Sequence, residues 1–166
     1  MPPTHACSLL LCALFAGTAA TACQPDADTA LVALNTLRAH AQPCAAAARP
    51  LQWDARLARS AQRYADELAL RDTVSHQGEG AVSLLDRLKA VGYPLRRAGE
   101  NLAAGQDDLA EVLAQWLASR AHCENLMQAE FRDVGLACVT GPGLYQTYWV
   151  LHLGVGPSDP AQINRP

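Results

Sequence analysis

The sequence predicts an α+β fold in which helices lie on either side of a small antiparallel sheet. Four stretches with apolar residues at helical spacing come first along the chain. Two segments rich in β-branched and aromatic residues come last, separated by the turn signal Gly141-Pro142-Gly143. Helices combined with an antiparallel hairpin pack as layers around a shared core, so this order of elements favours a layered fold.

The four helical stretches share apolar residues at intervals of three and four, and they run over 28–41, 54–72, 81–91 and 107–120. Asp54 is placed as the N-cap of the second helix. The third ends at Gly92, a residue typical of the position after a helix. The fourth has acidic residues in its first turn, which the helix dipole favours.

The strands are predicted over 133–140 and 146–155, and the short turn between them makes them a hairpin. A third, shorter strand is expected over 100–103. The sheet therefore lies late in the chain, after most of the helices.

The N-terminus has the features of a signal peptide. Residues 6–20 are almost all apolar or small, and Ala20-Thr21-Ala22 supplies the small residues that signal peptidase accepts. The run is too short to cross a hydrocarbon core of roughly 30 Å, and no later stretch is long and apolar enough to be a transmembrane segment. We therefore expect a signal peptide over 1–22 and a single domain over 23–166.

The net charge of the chain argues against some classes of binding partner. The net charge is −3, and Arg96-Arg97 is the only basic doublet. A mildly acidic chain without a Lys/Arg cluster argues against nucleic acid and anionic membranes as partners.

Six cysteines are present, and two of them lie in the signal peptide. An even number in an oxidising compartment predicts two disulfides, for which three pairings are possible. We favour the pairs that are close in sequence, Cys23–Cys44 and Cys123–Cys138.

Cys23 also has an alternative interpretation, as the lipidated first residue of a lipoprotein. The bacterial lipobox prefers Leu three positions earlier, where this chain has Ala20. Lipidation would also leave Cys44 without its partner. The sequence thus predicts a secreted or periplasmic protein, with an outer-envelope lipoprotein anchored through Cys23 as the alternative.

Two histidines are candidates for chemistry. His76 follows a helix end and precedes the loop Gly78-Glu79-Gly80, and His122 lies just past a helix, three residues after Ser119. The other three histidines have ordinary interpretations. His5 belongs to the signal peptide, His40 lies near an exposed helix end, and His152 is a half-buried strand residue.

Spacing alone is weak evidence for a metal site here. His76 and His122 are far apart and belong to no His-x-x-x-His pair. Glu100 is the expected third member, within Gly99-Glu100-Asn101-Leu102. Its alternative role is to order a loop by accepting hydrogen bonds from the backbone.

Nine short motifs occur in the order found in the CAP superfamily, which includes cysteine-rich secretory proteins, insect antigen five, plant pathogenesis-related proteins and bacterial secreted proteins. The motifs are Asn35-x-x-Arg38, Leu51-x-Trp53-Asp54-x-x-Leu57-Ala58, Tyr64-Ala65, His76, Gly92-Tyr93, Gly99-Glu100-Asn101-Leu102-Ala103, Trp116-x-x-Ser119-x-x-His122, Phe131-x-x-Val134-Gly135 and Tyr148-Trp149. The similarity extends from about residue 28 to residue 154. The chain most resembles the compact bacterial branch.

The resemblance implies an α-β-α sandwich with a cleft lined by two histidines and two acidic residues. His76, Glu100 and His122 match three of these four positions. The fourth is a Glu in animal members and is Ser119 here. This departure is usual in the bacterial branch.

Two neutral imidazoles that converge in a cleft can bind Zn²⁺, with water in the open positions. Glu100 would then hydrogen-bond an imidazole of His76 or His122, or the bound water. Two protein ligands are fewer than the three usual in catalytic zinc sites, so tight binding is not expected. Alternatively, the same three residues form a polar network that joins helix ends to the sheet.

Three functions remain open. We favour a non-enzymatic binding module, for which the resemblance implies a small hydrophobic ligand such as a sterol or fatty acid, or a protein partner. A structural or stress-related envelope protein comes second. A hydrolase with Ser119 as nucleophile, His122 as base and Glu100 as its orienting group comes third, because no nucleophile-elbow motif surrounds Ser119.

Overall fold

The computed structural model describes residues 23–157, so the predicted signal peptide over 1–22 lies outside the described residues. Helices and strands are interspersed along this part of the chain. In order they are α1 Ala27–Arg38, β1 Gln52–Trp53, α2 Ala55–Arg71, a 3-10 turn Glu79–Ala81, α3 Leu84–Ala90, β2 Arg97–Ala104, α4 Leu109–Ala118, α5 Arg120–Met127, β3 Asp133–Thr140 and β4 Thr147–Val155.

The strands form one sheet in the order β1-β3-β4-β2. The predicted hairpin is β3 and β4, and β2 pairs antiparallel with β4 on the other side. The sheet is mixed and not purely antiparallel, because Gln52 and Trp53 pair parallel with β3. Two residues are too short to show an alternating pattern, which explains why β1 was missed. Within residues 23–157, β2 is an edge strand with a sheet partner on one side only.

Helices cover both faces of the sheet, as the predicted α-β-α sandwich requires. Along β4, Tyr148 and Val150 pack with α2, whereas Trp149, Leu151 and Leu153 face the layer of α1, α4 and α5. Every residue of β4 except the last is buried. A strand covered on both faces has a nearly continuous apolar sequence, which makes β4 the centre of the core.

The predicted helix ends are largely right. The Asp54 side chain accepts hydrogen bonds from the backbone N–H groups of Arg56 and Leu57, as an N-cap does. Gly92 follows α3 with a φ of 71°, the left-handed region that favours glycine. The third helix begins later than predicted, because Ser83 forms a capping box with Asp86.

The predicted helix over 107–120 corresponds to α4, whereas α5 was not predicted. Ser119 has extended backbone angles, φ −95° and ψ 120°, and separates α4 from α5. His122 therefore lies in the first turn of α5 and not just past a helix. The break could not be predicted from local residues, because neither Gly nor Pro occurs between residues 107 and 127.

The four cysteines within residues 23–157 are all paired, but the predicted pairing is wrong. The disulfides are Cys23–Cys138 and Cys44–Cys123. Proximity in sequence failed as a guide because the fold brings distant segments together. The segment just before α1 lies against β3, where the Gln24 side chain accepts a hydrogen bond from the backbone N–H of Cys138 at 2.5 Å.

A buried arginine holds the loop that contains Cys44 against α5. The guanidinium of Arg38 donates to the carbonyl oxygens of Arg49 at 2.9 Å and Gln128 at 3.3 Å, and also to that of Leu126. Arg38 thereby joins the loop after α1 to the end of α5. This contact brings Cys44 next to Cys123. Within residues 23–157, no helix is long and apolar enough to cross a membrane.

Candidate functional site

The candidate site is built around Glu100, whose side chain is only 3% exposed. Its Oε1 lies 2.8 Å from Nδ1 of His76. Its Oε2 accepts from Nη2 of Arg87 at 2.6 Å and lies 2.9 Å from Nε2 of His152. Three nitrogen-containing side chains from separate parts of the chain therefore share one carboxylate.

Sheet register explains why Glu100 meets His152. The two residues are directly paired across β2 and β4, so their side chains lie on the same face of the sheet. That face carries α2 and α3. His152 is fully buried, contrary to the half-buried surroundings expected from the sequence.

Arg87 approaches Glu100 from α3. Its guanidinium lies over the ring of Tyr64, 3.5 Å from the ring centre. Nη1 donates to the carbonyl of Val82 at 3.0 Å, and Nη2 also donates to the carbonyl of His76 at 3.3 Å. Such stacking and hydrogen bonding fix a planar guanidinium opposite its carboxylate.

These contacts keep Glu100 ionised. Burial opposes ionisation, but hydrogen bonds from His152 and His76 and the charge of Arg87 lower the pKa of Glu100 to about 2. A buried carboxylate needs this compensation, because an unpaired charge in the interior is strongly unfavourable.

His76 is the exposed member of the network, with 62% of its side chain accessible. The hydrogen bond to Glu100 raises its pKa, and burial partly opposes this effect. Its loop is tied to α2, since the Tyr64 hydroxyl donates to the carbonyl of Ser75. With Nδ1 bound to Glu100, Nε2 is the nitrogen that His76 offers to a ligand.

His122 lies on the other side of β2, in the first turn of α5. Its backbone carbonyl accepts from the Asn101 side chain at 3.0 Å, and Asn125 donates to the carbonyl of Glu100 at 3.2 Å. Burial lowers the pKa of His122, and the charge of His76 lowers it further. The two imidazoles therefore influence each other electrostatically around the edge strand, and the lowered pKa of His122 favours its neutral form.

Ser119 is the least connected of the predicted site residues. It is half-buried at the α4–α5 junction, and its hydroxyl makes no hydrogen bond that caps α5. In the described part of the chain, the hydrogen bonds of the Glu100 carboxylate go to His76, Arg87 and His152, not to His122. The structure thus joins His76 to Glu100 directly and leaves Ser119 outside this network.

Sequence reasoning missed Arg87 and His152. Both could have been recognised from their positions in apolar sequence patterns. Arg87 lies three residues after Leu84 and next to Leu88, on the apolar side of its helix, and His152 interrupts an otherwise apolar strand. A titratable residue at a position that periodicity assigns to the core needs a buried partner.

The described residues do not form a ready-made site for a tightly bound metal ion. Among residues 23–157, no group of three or more His, Cys, Asp or Glu is arranged to hold a metal. The available donors are the imidazoles of His76 and His122. Glu100 is occupied by its three partners, so it orients His76 in the manner of an outer carboxylate and does not serve as a third ligand.

Comparisons with known proteins agree with this architecture. The family described as Cysteine-rich secretory protein family, CAP, matches residues 31–153. The uncharacterized protein YkwD from Bacillus subtilis (strain 168) is 28% identical over 102 residues, which cover 61% of this chain and 40% of YkwD. The chain therefore spans well under half the length of that relative.

Two solved structures show the same fold. One is an extracellular protein containing an SCP domain from Bacillus anthracis, 26% identical, with a TM-score of 0.63 over 76% of this chain and 39% of that one. The other is an outer surface protein from Borrelia burgdorferi, 20% identical, with a TM-score of 0.66 over 81% of this chain and 98% of that one. With its sandwich architecture and a family match over most of its length, the chain belongs to the cysteine-rich secretory protein (CAP) family, in its bacterial branch.

Proposed function

We propose that this protein is an exported, non-enzymatic binding module whose cleft between His76 and His122 holds a divalent metal ion weakly. The observation that carries the proposal is the 2.8 Å hydrogen bond from His76 to buried Glu100. It leaves Nε2 of His76 as the free nitrogen and increases the basicity of the ring. Neutral His122 supplies the second imidazole.

Export is supported by three independent features. The first is the predicted signal peptide. The second is the pair of disulfides, which persist in oxidising compartments. The third is the similarity to an extracellular protein of Bacillus anthracis. The intact mass of the mature protein tests the proposal of export. We expect the mass of a chain that begins at Cys23 and carries no added acyl group.

A mass increase from lipid on Cys23 would instead indicate a lipoprotein. The sulfur of Cys23 is bonded to Cys138, and a sulfur in a disulfide does not carry a thioether-linked lipid. The two states of Cys23 are therefore mutually exclusive.

His122, whose pKa is lowered by burial, presents a lone pair to a cation. The negative charge of Glu100 is already balanced by Arg87, so Glu100 contributes by holding His76 and not by attracting the ion. When bound, Zn²⁺ would supply a Lewis-acidic centre with open positions for water or a ligand. His76 and His122 would hold it, and Glu100 would keep His76 in the required tautomer.

The hydrolase alternative receives less support. It requires Glu100 to orient His122, which in turn activates Ser119. The Glu100 carboxylate is instead hydrogen-bonded to His76 and two other buried side chains. A small hydrophobic ligand or a protein partner remains an expectation from the family resemblance.

Calorimetric titration with Zn²⁺ at pH 7.5 tests the metal proposal. We expect wild-type protein to bind one ion, and His76→Ala/His122→Ala to bind at least ten times more weakly. His40→Ala is the matched control because His40 is exposed at the end of α1. Equal affinity in wild type and double variant would contradict the proposal. Absence of binding in wild type would favour a structural role.

A further inference from the structure

The loop over residues 73–82 carries His76 and contains a strained backbone position. Ala81 has a φ of 64°, in the left-handed region that residues with a side chain seldom adopt. Such a conformation persists only where surrounding contacts hold it, and it occurs most often near functional sites. The contacts that hold this loop therefore bear on how His76 is presented to a ligand.

Arg87, which lies in the following helix α3, holds this loop at two points. Its Nη1 donates to the carbonyl of Val82 at 3.0 Å, and its Nη2 donates to the carbonyl of His76 at 3.3 Å. The Val82 carbonyl also accepts from the backbone N–H of Gly78 at 2.9 Å, which closes the loop on itself. Arg87 therefore contacts the main chain of the loop on both sides of Gly78.

The same guanidinium fixes the imidazole of His76 through Glu100. Nη2 donates to Oε2 of Glu100 at 2.6 Å, while Oε1 of Glu100 lies 2.8 Å from Nδ1 of His76. The guanidinium lies over the ring of Tyr64, 3.5 Å from the ring centre, which restricts its plane. One planar group thus holds His76 at its main chain and at its imidazole, although 62% of the His76 side chain is exposed.

The other side chains that hold the loop bind it at different residues. The carboxylate of Glu67 accepts from the backbone N–H of Glu79 at 2.7 Å, and the Tyr64 hydroxyl donates to the carbonyl of Ser75. Neither contact involves His76 itself. Among the described residues, Arg87 is the one that joins the main chain of His76 to the carboxylate that orients its ring.

We propose that Arg87 is a positioning residue for the metal site, and that its two Nη atoms set where Nε2 of His76 lies relative to His122. This inference rests on the proposed function for its metal-binding part, whereas the placement of His76 does not require a metal. Lysine has the same charge opposite Glu100 but only one donor nitrogen, so it cannot reach the acceptors of both Nη1 and Nη2. Arg87→Lys therefore separates the position of the donors from their charge.

Amide hydrogen exchange of the purified protein without added metal tests whether Arg87 holds the loop. Arg87→Lys should accelerate exchange at Gly78, Glu79 and Ala81 about tenfold or more and leave the amides of β4 unchanged. Arg59→Lys is the matched control, because Arg59 is exposed on α2. Unchanged exchange in the loop of Arg87→Lys would overturn the proposal. Equal acceleration in the loop and in β4 would also overturn it, because Arg87 would then support the whole fold.

The wild-type protein provides a test that does not depend on the variant. Exchange at Gly78 and Ala81 should be at least about tenfold slower than in an unstructured peptide, because both N–H groups are hydrogen-bonded within the loop. Exchange at the rate of an unstructured peptide would overturn the proposal, even if Arg87→Lys failed to fold.

Titration with Zn²⁺ tests whether this placement affects binding. Arg87→Lys should bind Zn²⁺ about fivefold or more weakly than wild type, and Arg59→Lys should bind it as tightly as wild type. Faster loop exchange with unchanged Zn²⁺ affinity would overturn the positioning role. If wild type bound no Zn²⁺, the proposed metal function would fail, whereas accelerated exchange in Arg87→Lys would still support Arg87 as the residue that places His76.

Discussion

At Glu100, a single carboxylate balances a buried arginine and orients two histidines. The side chains of Glu100 and Arg87 are only 3% and 8% exposed, so neither charge is well hydrated. A buried ion pair contributes little net stability compared with apolar residues, but removing one partner leaves the other charge uncompensated. Glu100 and Arg87 are therefore tightly coupled, and changes at either should affect the whole network.

Glu100→Gln should lower the free energy of unfolding by about 3 kcal/mol or more, because it leaves the guanidinium of Arg87 buried without a counter-charge. Urea unfolding followed by circular dichroism measures the change. Glu79→Gln is the control, since Glu79 is exposed in the loop before α3. If Glu100→Gln lowers the free energy of unfolding by no more than Glu79→Gln does, Glu100 and Arg87 are not coupled.

His152 gives the protein a specific dependence on pH. Burial lowers its pKa below the ordinary value of 6.5, although the hydrogen bond to Glu100 opposes this shift. The unfolded chain therefore takes up a proton first as the pH falls. The stabilising contribution is complete above pH 6.5 and declines below it, with a slope of at most about 1.4 kcal/mol per pH unit.

His152→Gln should remove this part of the pH dependence, because Gln keeps an N–H for Glu100 but does not titrate. Measuring the free energy of unfolding from pH 7.5 to pH 5 should give a shallower decline than in wild type. His122, whose pKa is also lowered, contributes a decline in the same direction in both proteins. His40→Gln should follow the wild-type curve. An unchanged slope in His152→Gln would contradict a neutral buried His152.

At the scale of elements, α2 and β3 lie in close contact at Gly135. An added Cβ there would lie 2.1 Å from the backbone nitrogen of Ala58, a distance that backbone atoms do not accommodate. The helix lies against the sheet at this point because Gly135 has no side chain. Periodicity predicted both elements, but the contact between them depends on how they pack.

Gly135→Ala should lower stability by about 3 kcal/mol or more, since relief of the clash requires α2 to move away from the sheet. Gly141→Ala is the matched control, because its Cβ would lie 3.1 Å from the Cβ of Ala69 and needs only a small adjustment. Thermal unfolding of the two variants provides the comparison. A similar loss of stability in both variants would indicate that the close contact between α2 and β3 does not require glycine at position 135.

Over the whole molecule, the two disulfides connect parts that are far apart in sequence. Cys23–Cys138 spans 115 residues and Cys44–Cys123 spans 79. In the chain-entropy treatment, closing loops of this size stabilises the folded state by about 4–5 kcal/mol for each disulfide. The predicted pairing by sequence proximity would have closed much shorter loops, with a smaller effect.

Cys44→Ala/Cys123→Ala should lose about 4 kcal/mol of stability and contain no free thiol, because both residues of one disulfide are removed. Cys23→Ala/Cys44→Ala should instead contain two free thiols, one from each disulfide. Thiol titration of the denatured, unreduced proteins distinguishes these outcomes. The reverse pattern of thiols would support the pairing expected from sequence.

The sequence by itself determined the layers. Apolar periodicity located four helical stretches and the hairpin, and the order of short motifs identified the family and suggested His76, Glu100 and His122 as site residues. Such patterns are local, because each element shows in its own residues which face is buried. The break at Ser119 is not marked by any helix-breaking residue, and the strand β1 is too short to show periodicity. Neither could be recognised from the sequence.

Only the tertiary structure decided which residues meet. His152 reaches Glu100 through the register of β2 and β4, and Arg87 reaches it through the placement of α3 over the sheet. The disulfide partners were likewise fixed by contacts such as those of Arg38, which joins segments about 90 residues apart. Pairings of this kind depend on the packing of elements distant in sequence, and no periodicity within one element encodes them.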